Sequence, residues 1–333
     1  MVEIIGAPFD LCGAAVGSRL GPAAVRMLGL VSALHELDVE VCADSDALDM
    51  LHESPTDYST KVRHAVEAYR AVSDAVVASL ERGNLPLVLG GDHSLSIGSI
   101  SGALRHYGTE NLAVLWIDAH MDLNTMATSP SGNVHGMPVA ALTRLSSGDR
   151  PTSRPTGSSW SLAARQSGWD AWQTILDEVV PEGGVRHDRT GWVGLRDVDS
   201  GEVGNYQKLQ STTAWTMHQI DDRGIAGVID EIDAWLVRTG ATRLWISFDV
   251  DSLDPLHAPG TGTAVYGGLT YREGHFLAER LHSLLNDPSR PYKLAGLDVV
   301  EVNPMTDEAG ETAKIAKEWV CSLFGKRIMG ALP

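Results

Sequence analysis

Short apolar runs and longer amphipathic stretches alternate along the whole chain. Eight of the runs read as strands: Val2–Gly6, Val39–Cys42, Pro86–Leu89, Leu112–Ile117, Gly191–Leu195, Thr213–Met217, Arg243–Phe248 and Lys293–Val299. Several are apolar at every position, which suits strands covered on both faces. The stretches between them have helical periodicity. In Lys61–Arg82 the apolar positions Val62, Ala65, Val66, Tyr69, Val72, Val76 and Leu80 recur at three- and four-residue spacing and line one helix face. Gly224–Arg238, Thr270–Leu285 and Glu311–Phe324 repeat that pattern. Strand–helix alternation over the full length predicts an α/β fold with a parallel sheet and helices on both faces.

One stretch breaks the alternation. Ser146–Ser159 consists of Ser, Thr, Pro, Gly and charged residues and reads as a loop. After it, Trp169, Trp172 and Leu176 share one helical face, which reads as an insertion anchored on the core rather than a substrate wall. No linker separates two halves, so residues 1–333 are expected to form one domain with an atypical insertion around 146–190.

Composition narrows the function. Hydrophobic residues make up 43% and charged residues 21% of the 333 positions, so disorder is not the main state. The longest unbroken aliphatic or aromatic run, Leu112–Ile117, is far shorter than the ~20 residues that span a bilayer. The opening Met-Val-Glu-Ile-Ile-Gly lacks the basic region and apolar core of a signal peptide. The formal net charge of −17 repels phosphate backbones and anionic lipids, which argues against nucleic-acid and membrane partners. Three widely spaced cysteines, Cys12, Cys42 and Cys321, give no disulfide framework; a reducing, cytoplasmic setting is expected.

Four apolar runs end in acids or histidine. They are LPLVLGGDHS (Asp92, His93), LAVLWIDAHMD (Asp118, His120, Asp122), RLWISFDVDSLDP (Asp249, Asp251, Asp254) and KLAGLDVVEVNP (Asp298, Glu301). Open parallel sheets bind ligands outside the carboxyl ends of their strands. Asp118, His120 and Asp122 are two apart, as are Asp249 and Asp251; on extended backbone each set would point to one face. Four converging aspartates with no lysine or arginine inside these motifs need cations, and two divalent ions balance four carboxylates. Imidazole with carboxylate oxygen and no thiolate favours Mn²⁺ over structural zinc. Two metals sharing carboxylates acidify a water for hydrolysis. Asp92 and Asp254 read as supporting turn acids.

These blocks resemble the ureohydrolase (arginase/agmatinase) family. Gly-Gly-Asp-His at 90–93, Asp-Ala-His-Met-Asp at 118–122 and Ser-Phe-Asp-Val-Asp-Ser-Leu-Asp-Pro at 247–255 look like its signatures, in order. The likeness runs from Ile5-Gly6-Ala7-Pro8 to Ser322-Leu323-Phe324-Gly325, apart from 146–190. It implies a single three-layer α/β/α domain with a mostly parallel eight-stranded sheet. It also implies two Mn²⁺ per subunit: His93 and Asp122 on one ion, His120 and Asp251 on the other, with Asp118 and Asp249 bridging both. Within the family the arginase branch, and bacterial arginases in it, is most similar. There, residues matching Asn124, Ser131 and Asn133 hold the substrate carboxylate, and those matching Asp199 and Glu202 face its α-amino group. Departures lie at Met126–Pro130, Asp10–Arg19 and 146–190.

The resemblance thus implies hydrolysis of L-arginine to L-ornithine and urea, with a metal-bridging hydroxide attacking the guanidinium carbon. The reacting groups would be His135 as proton shuttle, Glu301 as partner of the guanidinium and Asp122 at the metal; Thr263 would line the pocket. Neutral donors for a carboxylate and an acid for an ammonium suit a zwitterionic head group independently of any family. Agmatine, guanidinobutyrate or peptidyl arginine are alternative substrates, and a catalytically silent metal-binding homologue is the remaining alternative. The resemblance further implies a homotrimer or homohexamer.

Overall fold

The computed structural model describes residues 1–153, 160–209 and 211–329. All eight predicted strands form: β1 (Val2–Gly6), β2 (Val41–Asp46), β3 (Leu85–Leu89), β4 (Leu112–Ile117), β5 (Thr190–Leu195), β6 (Thr213–Thr216), β7 (Arg243–Asp249) and β8 (Lys293–Val300). They make one sheet in the order β2-β1-β3-β8-β7-β4-β5-β6. Every pairing is parallel, so the sheet expected to be mostly parallel is wholly so.

The helices among the described residues are α1 (Gly21–Met27), α2 (Leu30–His35), α3 (Tyr58–Glu81), α4 (Ser96–Tyr107) and α5 (Pro138–Leu142), then α6 (Leu162–Thr174), α7 (Ser200–Tyr206), α8 (Met217–Thr239), α9 (Tyr271–Asn286) and α10 (Glu311–Leu323). They cover both faces of the sheet. Along β4, Leu112, Val114 and Trp116 join a core with residues of α3, α4, α5 and α6. Ala113, Leu115 and Ile117 join a second core with residues of α1, α2, α8, α9 and α10. That alternation is the period-2 geometry of a strand buried on two sides, and it is why β4 reads as a continuous apolar run.

Differences from the predicted elements have local causes. Strand β2 is shifted to Val41–Asp46 because it is an edge strand; its residues Ala43–Asp46 are exposed and carry no apolar signal. Helix α8 breaks at Gly224, whose φ of 71° lies in the left-handed region, so the uninterrupted helix begins where the periodicity placed it. Of the predicted loop Ser146–Ser159, residues 146–153 form neither helix nor strand, and 154–159 lie outside the described residues. Beyond it the stretch to 190 is not a plain loop: it contains α6 and a π-helical turn at Ile175–Val179. Trp172 and Leu176 are buried there and Trp169 half-buried, which matches anchoring on the core.

Candidate metal centre and substrate recess

The acid-bearing segments meet at one edge of the sheet because β3, β8, β7 and β4 are neighbours and all parallel. After β3 the chain passes so close to Phe9 that a Cβ on Gly91 would sit 1.6 Å from the Phe9 carbonyl oxygen; only glycine fits. Asp92 then caps the 3-10 turn His93–Leu95, accepting from Ser94 N. It also accepts from Cys12 N, so it is the supporting acid that the sequence suggested.

The aspartates converge by turning, not by extended alternation. β4 ends at Ile117, and Asp122 has φ 52°, a left-handed conformation that aspartate tolerates better than most residues. β7 ends at Asp249, and Val250–Ser252 is a 3-10 turn in which Asp249 Oδ1 accepts from Asp251 N at 2.8 Å. The turns bring their oxygens within reach of one another. The residues expected to gather do so, for a different backbone reason.

Two ligand clusters result. His93, Asp118 and Asp122 each aim a ligand atom into one; Asp118, His120 and Asp251 do so in the other, and Asp118 is common to both. His93 Nδ1 lies 2.9 Å from Asp118 Oδ2, 3.0 Å from Asp249 Oδ2 and 3.2 Å from Asp122 Oδ2. His120 Nδ1 lies 3.1 Å from Asp251 Oδ2 and 3.3 Å from Asp118 Oδ1.

Charge in these clusters is poorly balanced without a cation. Burial, then repulsion from Asp118, pushes Asp122 up to about 6. Burial and its neighbours Asp251 and Asp118 hold Asp249 well above the ordinary carboxylate range, and Asp251 is raised by burial and Asp118. Burial opposes a charged His93, but Asp118, Asp122 and Asp249 outweigh it and raise its pKa strongly. His93 Nδ1 is buried and makes no hydrogen bond. The other ring nitrogen explains the arrangement. Nε2 is 2.9 Å from Ser247 Oγ, whose own hydrogen goes to Asp298 Oδ1 at 2.5 Å. Ser247 therefore accepts from Nε2–H, and the Nδ1 lone pair is directed at the acids, as in a metal-ligating histidine. An orphaned imidazole nitrogen among carboxylates fits a divalent ion with hard to borderline preferences.

Supporting residues outside the motifs complete the site. Trp116 stacks on His93 at 4.0 Å and donates to Asp118 Oδ2 at 2.9 Å. Asp298 also accepts from Trp245, Ser96 and Ser99, in keeping with a structural acid. Asp254 accepts from Leu256 N, Gly267 N and Gly268 N and shapes the following loop. The sequence assigns no role to Arg196. Its guanidinium donates to the carbonyls of Gly194, Asp251, Ser252, Leu253 and Val265, binding the Asp251 turn to two other segments. No spacing rule reveals a residue whose partners are all backbone.

The clusters floor a recess of about 130 Å³. His93, His120, Asp122 and Asp249 line it, as do Asn124, Ser131, Asn133, His135, Asp199, Glu202 and Thr263. Asp118, Asp251 and Glu301 lie just behind that lining. Thr263 Oγ1 donates to Asp251 Oδ2 at 3.0 Å, so it braces a cluster acid as well as facing the recess. Asp199 and Glu202 form a capping box at the start of α7: Asp199 Oδ1 accepts from Gly201 N and Glu202 N, and Glu202 Oε2 accepts from Asp199 N. Asp199 Oδ2 accepts from Asn124 Nδ2 at 2.8 Å. Burial, then Asp122, pushes Glu202 up to about 7.

His135, also in the lining, has its Nδ1 3.0 Å from Glu301 Oε1, which also accepts from His93 N. Burial works against a charged His135; the hydrogen bond and charge of Glu301 outweigh it and lift it to about 9. Glu301 has φ 62°, a second strained non-glycine residue at the site. Its Oε2 lies 3.6 Å from where a Cβ on Gly262 would sit, an ordinary packing distance.

Among the described residues no helix is long and apolar enough to cross a membrane. A model of the Arginase family matches residues 1–325. The chain is 36% identical to the arginase of Staphylococcus aureus (strain COL) over 98% of each sequence. It is 37% identical to that of Bacillus caldovelox, over 98% of this chain and 99% of the other. The crystal structure of arginase from Bacillus subtilis superposes with a TM-score of 0.80 at 32% identity, covering 98% of this chain and 99% of that one. The fold, the ordered motifs and these relatives together place the chain in the arginase family of hydrolases.

Proposed function

We propose that this protein is a two-metal arginase that hydrolyses L-arginine to L-ornithine and urea. The carrying observation is that one recess joins the two Asp118-linked clusters to a set of neutral donors and acids suited to an amino-acid head group. His93, Asp122 and Asp118 would hold one Mn²⁺, and Asp118, His120 and Asp251 the other. Asp249, whose Oδ2 lies 3.0 Å from His93 Nδ1, would add a further carboxylate to the ligand set. The ions would neutralise the buried carboxylates and supply an acidified water as nucleophile.

The protein's own groups do the rest. Asn124, Ser131 and Asn133 bind the substrate carboxylate, and Asp199, backed by Glu202, faces its ammonium. Asn124 Oδ1 already accepts from Thr128 Oγ1 and its Nδ2 donates to Asp199, so Asn124 also sets the distance between the two reading groups. Glu301 Oε2 meets the guanidinium beside Gly262. Its Oε1 fixes His135, whose pKa this contact raises, and so places the ring to give a proton to the departing amine. The three thiols are free, which suits a reducing cytoplasm. A homotrimer or homohexamer accompanies this reading and is checked by light scattering.

The test is urea release by Mn²⁺-loaded protein from L-arginine, agmatine, 4-guanidinobutyrate and an internal-arginine peptide. Preference for L-arginine supports the assigned readers. Preference for another guanidine retains the metal chemistry and overturns those assignments. No urea from any of them, with two ions bound, favours a silent homologue.

A further inference from the structure

Two stretches that depart from the family pattern, Met126–Pro130 and the region after residue 146, meet in space beside the recess. Their contact centres on Gly132, between the two residues proposed to hold the substrate carboxylate. Gly132 has φ 79°, and its N–H donates to Ser129 Oγ at 2.9 Å, while Asn133 N donates to Ser131 Oγ at 3.2 Å. Those bonds lie within the turn. What fixes the turn against the rest of the protein comes from far along the chain.

Tyr58, the first residue of α3, donates its hydroxyl to the Gly132 carbonyl at 2.7 Å. The same hydroxyl is 3.7 Å from Met126 Sδ, so it touches both ends of the turn-bearing loop. Trp160 closes the other side: a Cβ on Gly132 would lie 2.8 to 3.0 Å from three atoms of its indole. The Tyr58 and Trp160 rings are 5.7 Å apart, and the Arg165 guanidinium stacks on Trp160 at 4.7 Å. Helix α6 reaches this position because Gly168 has no side chain; a Cβ there would lie 2.9 Å from Met126 Sδ and 3.2 Å from the Tyr58 ring. Burial raises the Tyr58 pKa far above the usual range, so its hydroxyl remains a donor at any working pH. Ser131 and Asn133 line the recess; Tyr58 and Trp160 do not.

We propose that Tyr58 and Trp160 form a clamp that holds the Ser131–Gly132–Asn133 turn in register with the metal clusters and thereby sets affinity for the amino-acid head group. Both are positioning residues, acting through the Gly132 backbone. The proposal rests on the reading that this turn binds the substrate carboxylate.

The test uses the Mn²⁺-loaded protein carrying Tyr58→Phe, which removes one oxygen and keeps the ring. A single net hydrogen bond contributes about 0.5–1.5 kcal/mol, a two- to twelvefold change. The expected result is a rise of that size in KM for L-arginine, and the same rise in the calorimetric Kd for L-ornithine. kcat should stay within about twofold and Mn²⁺ affinity should not move. Trp160→Phe is expected to act in the same direction, and serves if Tyr58→Phe does not fold. Asn133→Ala separates the two ideas. If Asn133→Ala weakens L-ornithine but neither clamp variant does, the clamp is overturned and the reading of the turn stands. If Asn133→Ala also leaves L-ornithine binding unchanged, the reading of the turn falls, and the clamp with it. A clamp variant that lowers kcat and Mn²⁺ affinity along with L-ornithine affinity would show general disturbance and also overturn the proposal.

Discussion

Ser247→Ala isolates the contribution of the protein to the metal centre. Ser247 is fully buried and joins His93 Nε2, at 2.9 Å, to Asp298 Oδ1, at 2.5 Å. Alanine adds no atom, so overpacking does not enter. Asp298 keeps donors on both oxygens, Ser96 at 3.1 Å on one, Ser99 at 2.6 Å and Trp245 at 2.7 Å on the other, and is not left bare. The loss therefore falls on His93. Its Nε2–H becomes a buried donor without a partner, which costs about 1–3 kcal/mol. Its tautomer and ring orientation also lose their fixing partner, which typically lowers metal affinity about 10–100-fold. Calorimetric titration of Mn²⁺ into metal-free protein should show one of two ions weakened by that factor, with the other, held by His120 and Asp251, much less affected. Equal weakening of both ions, or unchanged affinity for both, would refute the assignment of Ser247 to His93.

Other consequences follow from packing and charge. Gly98 lets α4 lie against α3, and a Cβ there would sit 2.5 Å from the Tyr69 carbonyl oxygen; Gly98→Ala should cost about 1–3 kcal/mol by urea denaturation, the usual range for overpacking, and no loss would contradict this close approach. His275, with Nδ1 on Ser322 and Nε2 buried without a partner, has its pKa lowered mainly by burial, with Arg272 and Lys326 adding to it against Glu318 and Glu279. Because the unfolded chain takes up the proton first, stability should be flat above the model-peptide range near 6.5 and fall as pH drops below it. The melting temperature of the wild type should fall relative to His275→Gln between pH 7.5 and 5.5, whereas a gap independent of pH would contradict burial of the neutral ring. Arg196→Lys replaces a planar group that reaches five carbonyls with an ammonium that has three donors; Mn²⁺ affinity at the Asp251 cluster should fall about tenfold, and unchanged affinity would show that the Asp251 turn holds itself.

Much of this architecture was legible before the structure because buried parallel strands are apolar throughout. β4 and β7 have no polar residue from Leu112 to Ile117 and from Leu244 to Ile246. β2 was misplaced because half of its signal is polar: Asp44 and Asp46 lie on an exposed edge, paired with Arg26. The gathering of His93, Asp118, His120, Asp122, Asp249 and Asp251 was readable because metal-binding chemistry is written in residue type. The backbone that gathers them was not, since left-handed Asp122 and the turn at Val250–Ser252 replace the extended geometry inferred from the spacing. Asp199 and Glu202 show the opposite limit: the family resemblance singles them out as substrate readers, whereas the capping box they form at the start of α7 emerges only in the structure, which also puts them on the recess wall. Contacts such as Tyr58 with Gly132 join residues 74 apart and leave no local pattern to read.

The most direct test of the two-metal account is urea release from L-arginine as Mn²⁺ is titrated into chelator-treated protein. The account predicts negligible release without metal and a rise that reaches its plateau at two ions per chain. Full activity in the stripped protein, or a plateau at one ion, would contradict it.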